Sequence, residues 1–507
     1  MRLININWKS PQVPTYILIS ALLVVLILLG LVITKSPYEI PLALVLGGII
    51  FLVTLVNTDA GLAVLIFSML LSPEIVLGEV PGRDIVIRFD DVLLLIITLA
   101  WLAKTAINKG LALFIKTPLN KAIGVYIVIC LIATLRGAAL GYLTPEKGLF
   151  YVLRYLEYFL LYILVVNHIH SRKQINFFLT AFFITCAIVS VYGIIQIPQG
   201  VRVSAPFEGE FGEPNTFGGY LLFIFCLAFG ISLKKIPKNL RIALTGLLIL
   251  ISFPFLYTLS RASYIAIIFS FLTFILFSKR KVVLIAVMAA IAVSVIIIRP
   301  EAVLERVKYT FAFEDESLAR VGGVYLDYSS SARIFSWGYS FRTWKKHPIL
   351  GRGISGIGLV DGQYIRTLPE LGIIGLLALL WLLWSIYKHS LVVYKQTDDN
   401  LYKGLVLGFM AGFIGLAIHA LTANTFIIIR IMEPFWFIAG IIMMLPKVKE
   451  EEELESERIE VEAKEKEIEK EEKEKKEKEE MEEEEKEEVE EKKEGKGKYE
   501  GGWHWDY

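Results

Sequence analysis

Uninterrupted apolar runs of about 20 residues recur along this chain, and that length is what a helix needs to cross the hydrocarbon core of a bilayer. Fourteen can be marked, at 15–34, 38–57, 60–78, 91–107, 121–139, 149–168, 174–196, 214–232, 240–259, 262–278, 281–298, 367–388, 402–422 and 426–446. The early pairs are short, so twelve to fourteen is the working range. Lipid offers no partner for an open backbone, so runs of this length must be helices. They are apolar all round and lack the alternation of a barrel strand. With 507 residues, 55% of them apolar, the chain is expected to be an all-α polytopic membrane protein with about 12–14 transmembrane helices. The first run is too long, and too soon followed by others, to be a cleaved signal peptide.

The short loops orient the chain. Lys104, Lys109, Lys116 and Lys121, then Arg172 and Lys173, then Lys234, Lys235, Lys238 and Arg241, then Lys279, Arg280 and Lys281 fall on one side. The positive-inside tendency makes that side cytoplasmic. Both termini are then cytoplasmic, the membrane is the plasma membrane, and residues 299–366 form one long extracytoplasmic loop. Lysine dominates the inner loops and arginine the outer ones. A planar guanidinium grips phosphate or carboxylate oxygens in pairs, so the outer arginines read as a site for a phosphate or an acidic sugar. The plainer reading of any one of them is interfacial anchoring.

The net charge of +1 averages two opposed parts: residues 447–507 carry −13, and residues 1–446 carry +14. The first 446 residues are expected to be one membrane domain. The remainder, almost entirely Glu and Lys, cannot bury a core and is expected to be a cytoplasmic tail, disordered or a single helix held by Glu–Lys pairs.

Several chemistries find no support. Cys130, Cys186 and Cys226 all fall within spans and read as small packing residues rather than a disulfide framework or a zinc site. Of six histidines only His347 lies in the long loop, and no metal-ligand spacing occurs. There is no phosphate-binding Walker loop, no dinucleotide turn and no Gly-Xaa-Ser-Xaa-Gly elbow, so neither nucleotide nor soluble cofactor is expected.

The densest chemistry lies between Ser331 and Gly375, where Arg333, Arg342, Lys345, Lys346, His347, Arg352, Asp361 and Arg366 lead into an apolar helix. Arg261 follows Ser260 in a turn between two spans, and the loop from Gly200 to Asn215 supplies Arg202, Glu208, Glu210 and Glu213. Arg136, Arg154 and Arg430 lie within or beside spans. An unpaired ionisable group in lipid costs at least about 2.5 kcal/mol, so each is a functional candidate. Glu157 stands three residues after Arg154 on the same helical face, and a structural ion pair is an equally good reading there.

In order and topology these residues resemble the O-antigen ligase and polymerase superfamily of membrane glycosyltransferases, over roughly residues 90–445. The resemblance is carried by Arg154 in LRYLEYFLLY, the Arg202 to Pro214-Asn215 loop, the Ser260-Arg261 turn, Arg333, the His347-Pro348-Ile349-Leu350-Gly351-Arg352-Gly353 run, and Glu370-Leu371-Gly372-Ile373-Ile374-Gly375. In the ligase branch a His and an amide or Ser precede Gly-Xaa-Xaa-Gly by nine residues. Here Asp361 and Gly362 hold those places before Gly372 and Gly375, which fits a polymerase-like relative better.

The resemblance implies a fold like that of lipid-sugar glycosyltransferases (GT-C-like) and transfer of a glycan from a polyprenyl diphosphate carrier to an acceptor hydroxyl on a glycan, lipid or protein. It implies no cofactor, no metal and no nucleic acid; membrane lipids are the remaining partner. On that reading Asp361, Arg261 and His347 are catalytic, with Asp361 the first choice to deprotonate the acceptor and His347 the second. Arg154, Arg202, Arg333, Arg352 and Arg366 bind substrate, and outward guanidiniums such as Arg202, Arg261 and Arg333 stabilise the leaving diphosphate. The plainer alternatives are a helix cap or arginine partner for Asp361, an interfacial loop residue for His347, and close helix packing for Gly372 and Gly375. Two other classes compete: a transporter or flippase for a lipid-linked anionic glycan, and a scaffold whose tail recruits partners.

Overall fold

The computed structural model describes residues 39–80, 83–107, 115–208, 212–278, 281–282, 284–286, 288–289, 317–321, 323–358 and 360–497. The helices are α1 (Glu39–Val56), α2 (Thr58–Leu71), α3 (Phe89–Ile107), α4 (Asn120–Ala139), α5 (Pro145–His168), α6 (Arg172–Gln196), α7 (Pro214–Ser232), α8 (Lys238–Tyr257) and α9 (Arg261–Phe277). They continue with α10 (Tyr328–Lys346), α11 (Gln363–Gln396), α12 (Asn400–His419) and α13 (Ile429–Gly497). Two small antiparallel ribbons accompany them among the described residues, β1 (Glu74–Val80) with β2 (Arg83–Arg88), and β3 (Arg320–Val321) with β4 (Val324–Tyr325).

Among the described residues eight helices are long and apolar enough to cross a membrane, and three shorter apolar helices accompany them. The protein is an all-α polytopic membrane protein. Twelve of the fourteen expected spans coincide with helices. The run 15–34 and most of 281–298 lie outside the described residues, as does much of the long loop before Ser317. One run is shorter than expected: α2 stops at Leu71, and residues 74–88 turn back as the β1–β2 hairpin. The stretch Ile75-Val76 and Ile85-Val86-Ile87 is β-branched and flanks a Pro-Gly pair, so the same apolar content suits strands once a turn is available.

Small residues let the central helices meet backbone to backbone. A Cβ placed on Gly230 of α7 would stand 2.5 Å from Gly404 O and Gly408 N of α12, and one on Gly408 would stand 2.4 Å from Cys226 O. Without a hydrophobic drive between helices in lipid, such close packing is what holds them together.

Hydrogen bonds sort the loops into two ends. At one, Asp59 meets His168 and Gln174, and Tyr402 meets Arg172 and Asn176. At the other, the chain around 70–90, 136–143, 200–208, 258–261, 317–362 and 420–430 is cross-linked by the side chains described below. The arginine-rich loops therefore share one end, opposite the lysine-rich ones.

The chain divides into two units after Pro446. In the second, the residues described are helical as far as Gly497, with side chains exposed beyond the first turn and linked by pairs such as Lys447–Glu451 at 3.4 Å and Glu469–Lys473 at 3.2 Å. A helix that is polar all round draws its support from such pairs rather than from a core.

Candidate active site at the arginine-rich end

The site is built on a broken helix. Within α11, Gly372 takes φ 69° and ψ −169°, and Pro369 lacks an N–H, so the ladder of hydrogen bonds is interrupted near the membrane boundary. Backbone groups freed there need partners. The segment 348–355 supplies them: Arg352 N donates to Pro369 O at 2.8 Å, Gly353 N to Glu370 O at 2.8 Å, and Ile373 N to Pro348 O at 2.8 Å. Ser355 N donates to Glu370 Oε1 at 2.8 Å. On its other side the segment lies against α4, where Arg136 Nη1 donates to Gly351 O at 2.8 Å and Ile354 N donates to Thr134 Oγ1 at 3.2 Å. The two motifs His347–Gly353 and Glu370–Gly375 are thus halves of one structure. Gly372 belongs to that close approach, since a Cβ there would stand 2.0 Å from Ile349 O.

A second junction forms around the α8–α9 turn. Ser260 caps α9, its side chain accepting from Ser263 N, and Leu259 just before it is held at φ 50°, a costly conformation for a branched residue. Arg202 braces this turn from the α6–α7 loop, its Nε donating to Thr258 O at 3.1 Å and its Nη2 to Leu259 O at 3.4 Å. Arg261, the first residue of α9, pairs through Nη1 with Asp327, which also caps α10 by accepting from Ser330 N at 2.6 Å. Asp327 is buried, which would raise its pKa, but hydrogen bonds from Arg261 and Ser330 outweigh that and hold it below the usual carboxylate value.

From there α10 leads to Asp361. Arg333 Nε lies 3.3 Å from Asp361 Oδ2, and Trp337, one turn further on, donates from Nε1 to Asp361 O at 2.8 Å. Asp361 is not a helix cap: Gly362 takes that position at φ 98°, and the Asp361 side chain remains 44% exposed. The start of α11 is pinned to the end of α12, with Gln363 N donating to Ala420 O at 2.9 Å and Asn424 Nδ2 donating to Val360 O at 2.8 Å. His419 lies buried there, its Nδ1 2.8 Å from Thr425 Oγ1.

The expected arginines therefore fall into three neighbourhoods. Arg202, Arg261 and Arg333 are joined through the α8–α9 turn, Asp327 and α10. Arg352 stands apart with His347, both against Tyr142: the guanidinium 5.0 Å over that ring and the imidazole at 4.8 Å between centroids. Partial burial, then the charges of Arg352, Arg136 and Lys346, lower the His347 pKa below 6.5 and favour the neutral ring. Arg366 is buried and Arg154 partly buried, each in ion pairs, Arg366 Nε with Glu370 Oε1 at 3.0 Å and Arg154 Nη1 with Asp91 Oδ2 at 2.8 Å and Glu157 Oε2 at 3.3 Å. Arg430, also buried, donates to the carbonyls of Leu70, Pro206, Ser72 and Phe207 and so fixes the base of the 200–208 loop.

Asp327, Asp91, Glu370 and Asn424 were not among the expected site residues. Asp327 had a local signal, an Asp three residues before Ser330 at the start of a polar helix. Glu370 also had one, standing four residues after Arg366 on the same helix, whereas Asp91 and Asn424 meet their partners across 63 and 64 residues, for which a single sequence carries no sign.

A bundle with one arginine-rich end, a re-entrant segment seated in a broken helix and a partly exposed Arg–Asp pair defines the class: a membrane protein with an arginine-rich, carboxylate-bearing loop site. Residues 246–380 match the family model described as O-antigen ligase, and that match supports an assignment to the O-antigen ligase and polymerase superfamily. It runs from within α8 into α11 and contains Arg261, Arg333, His347, Arg352, Asp361 and Arg366; Arg154 and Arg202 lie before it. The match supports glycan transfer of this general type, by an enzyme working in the membrane on a lipid-linked glycan and a glycan acceptor. No curated protein matches the chain.

Proposed function

We propose that this protein transfers a glycan from a polyprenyl diphosphate carrier to an acceptor hydroxyl at the extracytoplasmic face of the plasma membrane, with both termini in the cytoplasm. The observation that carries the reading is the exposed Arg333–Asp361 pair, inside the family match and joined through α10 to Arg261 and Arg202. In the reaction the acceptor oxygen bonds to the anomeric carbon, its proton passes to the Asp361 carboxylate, and the bond from that carbon to the phosphate oxygen breaks. Charge then grows on the departing diphosphate. Arg202, Arg261 and Arg333 oppose it as fixed guanidiniums, an electrostatic arrangement that requires no metal ion.

Arg333 also orients Asp361, and general-base help of this kind contributes about 10²–10⁴-fold. His347, with its ring favoured neutral, is the second group able to take a proton, and Arg352 beside it provides a second anion contact. Arg154 and Arg366, being paired within the bundle, support the site from beneath. The experiment is to give the purified protein a defined polyprenyl-diphosphate oligosaccharide. Growth on the carrier identifies a polymerase and movement to another molecule a ligase. Absence of transfer with a range of such donors, from protein that is folded and monodisperse, rejects the reading.

A further inference from the structure

Beneath the loop site, four carboxyl groups share two guanidiniums. At the β2–α3 junction Arg88 pairs with Asp90, whose Oδ1 also accepts from Ser72 Oγ at 2.7 Å, and Arg88 N donates to Asp91 Oδ2 at 3.0 Å. From α5, Arg154 reaches both Asp91 and Glu157. From α13, Glu433 places Oε2 3.8 Å from Arg88 Nη2. Among the described residues the cluster holds Asp90, Asp91, Glu157 and Glu433 against Arg88 and Arg154, an excess of two acids. Arg430, one turn from Glu433, does not cancel it, because Glu208 accompanies Arg430 at 3.9 Å.

The excess acids are also the under-satisfied ones. Glu433 is fully buried and neither of its oxygens has a hydrogen-bond partner; Glu157 Oε1 and Asp91 Oδ1 are likewise buried and unmatched. An uncompensated carboxylate in such a place is strongly disfavoured, and a bound cation removes that cost. The described residues contain no group of three or more acids, histidines or cysteines placed to hold a metal ion. A proton needs neither a cavity nor a coordination shell.

We infer that this cluster is a proton-binding site linking α3, α5 and α13, in which Glu433 is a neutral carboxylic acid and Asp91 and Glu157 share a second proton across Arg154. The site does not depend on the proposed glycan transfer, and its test reads protonation rather than turnover.

The test is infrared spectroscopy of the full-length protein at neutral pH in H2O and D2O, with Glu433→Gln, Glu157→Gln and Asp90→Asn beside the wild type. The wild type is expected to show the carbonyl band of protonated buried carboxyls, shifted down in D2O. Glu433→Gln loses one component and Glu157→Gln another. Because Gln mimics a neutral acid in shape, Glu433→Gln is expected to accumulate at the wild-type level, whereas Asp90→Asn strips Arg88 of its counter-ion and falls severalfold. Absence of the wild-type band, a band unchanged in Glu433→Gln, or loss of Glu433→Gln protein to the level of Asp90→Asn would overturn the inference.

Discussion

Arg333 Nε stands 3.3 Å from Asp361 Oδ2, so the middle of the loop helix α10 is tied to the residue that leads into α11. The pair is partly exposed, with side chains 21% and 44% accessible, and exposed pairs of this kind contribute only about 0–1 kcal/mol. Its importance is therefore expected in activity rather than folding. Asp361→Ala and Asp361→Asn should each lower transfer about 10²–10⁴-fold while the protein inserts and accumulates normally. Normal product from either variant in the lipid-linked oligosaccharide assay removes Asp361 from the chemistry.

Asp327 joins Arg261 to the N-terminus of α10, and two of its contacts can be separated. Asp327→Asn keeps an oxygen for Ser330 N but loses the charge facing Arg261; Asp327→Ala loses both, and the cap alone is worth about 1 kcal/mol. Amide exchange in residues 328–346 should rise modestly in the first variant and strongly in the second. Equal exchange in both would mean that the ion pair, not the cap, seats the helix.

The same contact fixes a pH response. A carboxyl held below its ordinary value of 3.8 contributes stabilisation that is fully present above that value and is lost as pH falls through the lower, folded one. The α10 junction should therefore survive mild acid and release only below pH 3.8, read as exposure of Trp337 and Trp344 by fluorescence. In Asp327→Asn that acid transition should vanish.

Gly372 cannot carry a side chain without moving the segment seated against it. Its positive φ alone costs a substituted residue about 1–3 kcal/mol, and the Cβ would collide with Ile349 O. Gly372→Ala should lower the melting temperature and loosen residues 348–355 to protease. Wild-type resistance at that segment would show that the loop does not depend on the break in α11.

Arg366 is buried 3.0 Å from Glu370, whose Oε1 also accepts from Ser355 N. Arg366→Ala leaves that carboxylate unpaired, a change that costs about 3–5 kcal/mol in buried pairs. The variant should accumulate poorly, and Arg366→Ala combined with Glu370→Gln should recover part of the loss. An Arg366→Ala protein that folds normally but cannot bind donor would place the guanidinium on the substrate instead.

The sequence by itself determined the class of fold, because lipid leaves a twenty-residue apolar run no choice but a helix, and it marked 331–375 as the chemical stretch. It also gathered the arginines of the loops at one end, since charges are expelled to helix termini and successive spans alternate direction. Arg202, Arg261 and Arg333 were legible on those grounds, as was Asp361. What only tertiary structure decided was pairing: that Arg333 faces Asp361, that Arg261 faces Asp327, that Arg154 and Arg366 turn inward to Asp91 and Glu370, and that His347–Gly353 fills the gap in α11. The pairs of Arg333, Arg261 and Arg154 span 28, 66 and 63 residues, and side chains meet across helices according to how whole surfaces pack, which no local pattern of residues encodes; Arg366 and Glu370 stand one turn apart on one helix, and there the fold decided only that the pair faces inward. The hairpin at 74–88 has the same origin, because an apolar run near the membrane edge becomes strand or helix according to which neighbours satisfy its backbone.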